Sequence, residues 1–149
     1  MFVNITEIYT HLYPETIRTI SGEDELMLTS AIKAAISEVK MYLHAYDLDK
    51  LFGATGEDRD DALLLWVKNV AVWHYIVIAN PNVDYEARER RYKYTIATLK
   101  EIQTGDAVPD GFPPKTDEDG NKTELNVMKV GSNPAREQHI YGLSPLCFQ

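Results

Sequence analysis

Hydrophobic positions along the first two thirds of the chain recur with the period of an α-helix. In "EDELMLTSAIKAAISEVKMYLHAY" the apolar side chains lie four and three residues apart, on one helix face: Leu28, Ile32, Ile36, Val39, Leu43 and Tyr46. This pattern predicts a long helix over residues 23 to 46, with Ser21 as its N-cap. Upstream, "ITEIYTHLYPETIRTIS" predicts two short helices, the first capped by Thr6 and the second with Pro14 in its first turn.

The most apolar stretch is "LLLWVKNVAVWHYIVIA", residues 63 to 79. A membrane span needs about twenty apolar residues with few or no charges. This run is shorter and carries Lys68 near its centre, so it predicts a central helix buried on most sides. Asp61, Lys68 and Tyr75 lie seven residues apart on one ridge, which makes that ridge the candidate strip for contact with water or a partner.

The next stretch, "DYEARERRYKYTIATLKEIQTG", predicts a further helix that Asp84 caps and Gly105 ends. One face of this predicted helix carries Tyr85, Tyr92, Ile96, Leu99 and Gln103. Two pairs have the favourable i,i+4 order of charges, Glu86 with Arg90 and Glu89 with Lys93. Arg88 and Arg91 are then the spare positive charge of this helix.

These helices and their short connections predict an all-α fold, a small antiparallel bundle over residues 1 to 105. Residues 106 to 149 predict an extended C-terminal arm, because this stretch holds five of the seven prolines and no helical stripe. Asp119-Gly120 favours a hairpin around residues 115 to 130. Such a hairpin needs a surface to lie against, either its own bundle or, as we favour, a neighbouring subunit. The expected anchors of the whole arm are Val127, Arg136 and Tyr141.

Composition and charge narrow the functional classes. With 44% hydrophobic and 26% charged residues, the chain has the composition of a globular domain. A net charge of -8 disfavours a dedicated nucleic-acid binder. By segment the charge is -6 over residues 1 to 60, +1 over 61 to 104 and -3 over 105 to 149. The single cysteine, Cys147, excludes an intrachain disulfide and a cysteine-based metal site.

No residue pattern indicates catalysis, a cofactor or a metal. The histidines at 11, 44, 74 and 139 form no ligand motif, and His74 is expected to be a hydrogen-bonded core residue. "TDEDGNKTE" has Asn126 where a calcium loop requires a glutamate. The interleaved "EARERRYKY" could contact RNA, but a solvated face or a patch for an acidic neighbour explains it better. The sequence therefore predicts no enzyme.

In their order, four segments resemble the small helical head-to-tail adaptor proteins of tailed phages and prophages, also called connector or head-completion proteins. The segments are "ITEIYTHLYPETIRTIS", "LTSAIKAAISEVKMYLHAY", "LLLWVKNVAVWHYIV" and "YEARERRYKYTIATLKEIQTGD". Matching features are the short opening helix, the "A-x-x-x-E-V-x-x-Y-L" helix, the apolar helix after it, and "RYKYTIATLKEIQTG" before a tail. The resemblance covers roughly residues 3 to 106, and this chain departs from compact family members in its long proline-rich tail.

The resemblance implies a structural protein of the virion neck, present in the host cytoplasm during assembly. Its subunits would form a ring, commonly of about twelve copies, below the portal protein and around the channel for genomic DNA. The C-terminal arm would reach an adjacent subunit or an adjacent ring of tail, stopper or tail-completion proteins. No membrane and no sequence-specific DNA contact is implied. A heterologous interface between the acidic N-terminal half and the basic last helix would suit such a ring.

Two alternatives stay open. One is a nucleic-acid-handling accessory protein that uses the tyrosine-rich basic helix, which predicts binding that depends steeply on salt. The other is a monomeric regulator that binds a helical partner through the ridge of Asp61, Lys68 and Tyr75. That regulator would not need the arm.

Overall fold

A computed structural model describes residues 2–12, 14, 15, 17, 25–79 and 85–116. In this part of the chain the fold is an all-α bundle, as predicted. Its elements are α1 (Ile5–Ile8), α2 (Leu26–Tyr42), α3 (Leu48–Gly53), a 3₁₀ turn (Gly56–Asp58), α4 (Asp61–Ala79) and α5 (Tyr85–Thr104).

The core is built around α4. Side chains on most sides of this helix are buried: Leu63, Val67, Val70, Ala71, Val72, Tyr75 and Ile76. The largest contact of α4 is with α2, whose buried stripe is Leu28, Ala31, Ile32, Ala35 and Val39, and α5 packs beside both. The central buried helix predicted for this stretch is confirmed.

Length and composition alone would also let α4 cross a bilayer. The window Asp61–Ile78 has a mean hydropathy of 1.3, and 39% of it is buried inside the bundle. Among the described helices no other passes this test. Core helices of folded domains share the same composition, because both environments exclude water.

The helix predicted over residues 23 to 46 is shorter in the structure. It ends at Tyr42, and a turn over residues 43 to 45 leads into α3, which the pattern did not predict. The Asp47 side chain caps α3, accepting a hydrogen bond from the Lys50 backbone N–H at 3.1 Å. Leu43 and Tyr46 are nevertheless buried, so the apolar period continued past the point where the helix stopped.

The other helix ends follow local capping chemistry. Asn4, and not Thr6 as predicted, is the N-cap of α1, and its backbone N–H donates to the Glu7 carboxylate at 2.7 Å. Gly105 ends α5 with φ of 80°, as predicted. Pro14 is helical, whereas the predicted caps Ser21 and Asp84 lie outside the described residues.

Residues 106–116, which we call the strap, run back along the bundle to residues 45–47. Phe112 is buried, with its ring centroid 5.6 Å from that of Tyr46 and 6.2 Å from that of Trp66. The Asp47 N–H donates to the Pro113 carbonyl at 2.9 Å, and the Lys115 N–H donates to the Ala45 carbonyl at 3.0 Å. The packed unit therefore extends to Thr116, past the boundary predicted at residue 105.

The start of the predicted arm packs against the bundle of the same chain. The remainder, residues 117 to 149, which we call the distal segment, lies outside the described residues. The rest of the predicted hairpin and the predicted anchors Val127, Arg136 and Tyr141 belong to that segment.

The N-terminal residues are fixed to the loop before α4 by a bidentate ion pair. The Arg59 guanidinium donates to the two Glu7 carboxylate oxygens at 2.5 and 3.1 Å and to the Phe2 carbonyl at 2.7 Å. The hydrogen bonds from Arg59 are the main reason that the pKa of Glu7 falls from 4.5 to about 2, and burial, the next-largest effect, acts in the opposite direction. This pair holds Phe2 and Val3 in the core.

We expect Phe112→Ala to lower the free energy of unfolding by about 3 kcal/mol, because it opens a cavity between the strap and the bundle. Val108→Ala in the same strap is the control, and because Val108 is 73% exposed we expect a change below about 0.5 kcal/mol. Urea unfolding of both variants measures the difference. Equal effects would mean that the strap does not belong to the core.

Glu7→Gln should lower the free energy of unfolding at neutral pH by about 1 to 3 kcal/mol, because it removes a charge-assisted bidentate pair. The folded-state pKa of Glu7 is depressed, so its contribution is complete above about pH 5 and is lost as the pH falls towards 2. Urea unfolding across this range should show a smaller acid-induced loss for the variant than for the wild type. Glu57→Gln, at an exposed position, should keep the wild-type profile; an unchanged profile for Glu7→Gln would contradict the role of the pair.

Candidate functional site

The ridge predicted along α4 does not form a contact strip. Asp61 is exposed and Lys68 is half-buried, but Tyr75 is fully buried. Its hydroxyl donates to the Ile17 carbonyl at 3.4 Å. The prediction was wrong for Tyr75 because residues before α2 cover this part of the ridge. A partner cannot reach all three side chains together.

A cleft forms instead between the N-terminal residues and the start of α5. We call it the basic cleft; its volume is about 330 Å³, and its lining is Tyr9, Thr10, His11, Leu12, Ala87, Arg88 and Arg91. The Arg88 guanidinium donates a hydrogen bond to the His11 carbonyl, which holds the two walls together. The Arg88 side chain is therefore engaged within the bundle, although the sequence predicted that it would be spare. Arg91 is exposed.

Positive charge concentrates at this cleft. The pKa of His11 is lowered, first by burial and then by the nearby charges of Lys68, Arg91 and Arg88. Each of these groups disfavours adding a further proton to the imidazole. The cleft thus places the guanidinium groups of Arg88 and Arg91 beside a partly buried ring on which the charge of Lys68 also acts, and this suits an anionic group from outside the bundle.

The opposite charge collects around the start of α4. Residues 47 to 61, the acidic end, hold six acidic and two basic residues, a net charge of -4. Residues 85 to 93 of α5 hold four basic and two acidic residues, a net charge of +2. Three acidic residues of this region are exposed, and we call them the acidic turn: Glu57, Asp58 and Asp61.

These two regions lie at different levels of the bundle. Trp73 of α4 stacks on Tyr92 of α5 with centroids 5.4 Å apart, and the Asn69 side-chain amide donates to the Thr95 hydroxyl at 3.2 Å. From Tyr92 to Thr95 the chain advances along α5, while the partner on α4 moves back from Trp73 to Asn69. The two helices are therefore antiparallel. Arg91 therefore lies near the level of Trp73, twelve residues beyond Asp61.

A polar network joins three helices beside the cleft. The Glu38 carboxylate accepts a hydrogen bond from the Tyr92 hydroxyl at 2.8 Å and lies 2.6 Å from His74 Nε2. The sequence predicted a hydrogen bond for His74 but not its partner, which is 36 residues away. Burial, followed by the hydrogen bond to Glu38 and its negative charge, raises the pKa of Tyr92 to about 12. The phenol therefore stays protonated and serves as a donor that links helices.

Metal-binding arrangements are absent from the described part of the chain, where no group of three or more His, Cys, Asp or Glu side chains could hold an ion. The calcium-loop-like sequence and His139 lie outside the described residues. A further cleft of about 350 Å³ lies at the corner where the strap ends, lined by residues that include His44, Asp47 and Thr116.

Tyr92→Phe should lower the free energy of unfolding at neutral pH by about 1.5 kcal/mol, because the Glu38 carboxylate loses a donor. The raised pKa means that the contribution of Tyr92 is complete below pH 10 and is lost as the pH rises towards about 12. Urea unfolding over this range should show a smaller alkaline loss for Tyr92→Phe than for the wild type. Tyr94→Phe, at a side chain 75% exposed, should match the wild type; the same behaviour from both variants would contradict the network.

Comparisons of the chain with protein-family models, curated proteins and solved structures find no match. The resemblance to phage adaptor proteins therefore stays a prediction from the sequence pattern. Function must be inferred from the charge, packing and exposed surface of the chain itself.

Proposed function

We propose that this protein is a structural subunit that assembles head-to-tail into a ring, and that it acts as a head-to-tail adaptor in a tailed phage or prophage. In this role the ring would lie below a portal protein and surround the channel through which DNA passes. Tail, stopper or tail-completion proteins would bind its other side.

Segregation of charge is the observation that carries this proposal. A closed ring needs two different patches that fit each other, because every copy must present one patch to each neighbour. The acidic end and the basic cleft are two such patches on one bundle. A surface with evenly mixed charges would offer no comparable direction for assembly.

The charge balance also supports a passive channel for DNA. Tight binding to a duplex requires several lysines or arginines that neutralise phosphates. The chain has a net charge of -8, and two cations of the described part are already paired with carboxylates, Arg59 with Glu7 and Lys93 with Glu89. Low affinity for phosphates would let DNA move without sticking.

The strap supports a role for the distal segment between subunits. It fixes the chain at the acidic end, through hydrogen bonds to Ala45 and Asp47. The 33 residues that follow have a contour length of roughly 110 Å, several times the width of one subunit. A segment of that length starting at a fixed point can reach an adjacent copy or an adjacent ring.

One observation favours nucleic-acid handling as a second candidate. Tyr94 is 75% exposed and follows the arginines of α5, which is an arrangement that could stack on an unpaired base. The opposing observation is that Tyr92 is occupied by Trp73 and Glu38, so the tyrosines do not form a continuous platform. Binding of single-stranded RNA that weakens steeply with salt would support this candidate over the adaptor.

Negative-stain electron microscopy of the concentrated full-length protein tests the adaptor proposal. We expect rings with a central hole. A version that ends at Thr116 should be imaged beside it, because ending at Gly105 would remove the buried Phe112 and damage the fold. Loss of rings only in the shortened version would assign subunit linkage to the distal segment, whereas single subunits at every concentration of the full chain would argue against the proposal.

A further inference from the structure

The basic cleft contains a cation, Arg91, for which the described part of the chain supplies no ion-pair partner. Arg91 is exposed and makes no ion pair with any described residue. The nearest acidic residue along α5 is already engaged, since Glu89 pairs with Lys93 at 2.6 Å. Arg88 cannot turn to meet a ligand without losing its bond to His11, whereas the exposed Arg91 has no such bond to lose.

The acidic turn has the complementary features. Glu57 and Asp58 project from the 3₁₀ turn and are exposed, as is Asp61 at the start of α4. Their neighbours are used within the bundle: the Asp60 side chain accepts a hydrogen bond from the Leu63 N–H at 2.8 Å, and Asp47 pairs with Lys50 at 2.8 Å. Asp49 is exposed as well, so the acidic turn is the largest group of available carboxylates in the acidic end.

The two patches cannot neutralise each other within one molecule. Twelve residues of α4 separate Asp61 from the level of Arg91, and at 1.5 Å per residue this is about 18 Å along the helix axis. Charges in physiological salt are screened over about 8 Å. Each patch therefore presents its charge to the outside.

We propose that the basic cleft receives the acidic turn of a second copy of this chain, with Arg91 facing Asp58 and its neighbours. The contact is heterologous, since each copy gives a cleft to one neighbour and an acidic turn to the other. This inference rests on the proposed function and deepens it by naming the surfaces that meet. A cleft of about 330 Å³ has room for acidic side chains together with the water around them.

A charge swap between two variants tests the contact. Arg91→Glu sets a carboxylate against Asp58, and Asp58→Arg sets a guanidinium against Arg91, so each variant alone should self-associate at least about tenfold more weakly than the wild type. Mixed together they should assemble again, because every contact between unlike copies then joins opposite charges. Analytical ultracentrifugation of the full-length proteins, separately and as an equal mixture, measures this.

Arg90→Glu is the matched control. It makes the same change of charge one residue away, at an exposed position that does not line the cleft. We expect its self-association to stay within about threefold of the wild type, since an exposed charge outside the contact contributes little. Circular dichroism of each variant should show the helical content of the wild type.

The outcomes separate the contact from the proposed function. Rings of Arg91→Glu as stable as those of the wild type would overturn the contact and leave the ring standing. Equal weakening by Arg90→Glu and Arg91→Glu, or a mixture that fails to recover, would also overturn it. Absence of self-association by the wild type at its highest soluble concentration would count against both.

Discussion

Burial of α4 is the constraint on which the rest of the structure depends. Apolar side chains point to most sides of this helix, so a single neighbour cannot cover it. Each Val, Leu or Ile side chain removed from water contributes about 1.5 to 3 kcal/mol, and five such side chains are buried among those of α4 that the structure describes, together with Ala71 and Tyr75. The arrangement of α2, α5, the N-terminal residues and the strap follows from the need to cover this surface.

Covering α4 also determines where polar groups find partners. Asn69 and His74 are carried on the same helix as the core residues, so they are drawn partly out of water when the bundle closes. A buried polar group without a partner is costly. The structure meets this requirement with partners from other helices, Thr95 for Asn69 and Glu38 for His74. These bonds fix the relative positions of α2, α4 and α5, which hydrophobic contacts alone specify less well.

The same packing separates the charges that the proposed assembly would use. The antiparallel order of α4 and α5 brings the arginines of α5 to the level of Trp73 and leaves the acidic turn at the opposite end of α4. The N-terminal residues then complete the basic cleft by lying against Arg88. A subunit with two unlike patches can associate in one direction, which is what a ring requires. Assembly in this view is a consequence of how the core helix is covered.

Apolar period and length are enough to predict from the sequence the all-α class, three main helices and the burial of α4, because they report directly on which helix faces avoid water. The sequence also predicted spare charge at Arg88 and Arg91, of which Arg88 is engaged by a hydrogen bond to the His11 carbonyl. It did not reveal that α2 stops at Tyr42, since the capping of α3 by Asp47 competes with an apolar period that runs on. Three features follow from how distant segments pack and not from local spacing. Tyr75 is buried, Phe112 belongs to the core, and Arg88 donates a hydrogen bond to the carbonyl of His11, 77 residues away. Spacing places side chains on a ridge of one helix, but what covers that ridge depends on segments distant in the chain.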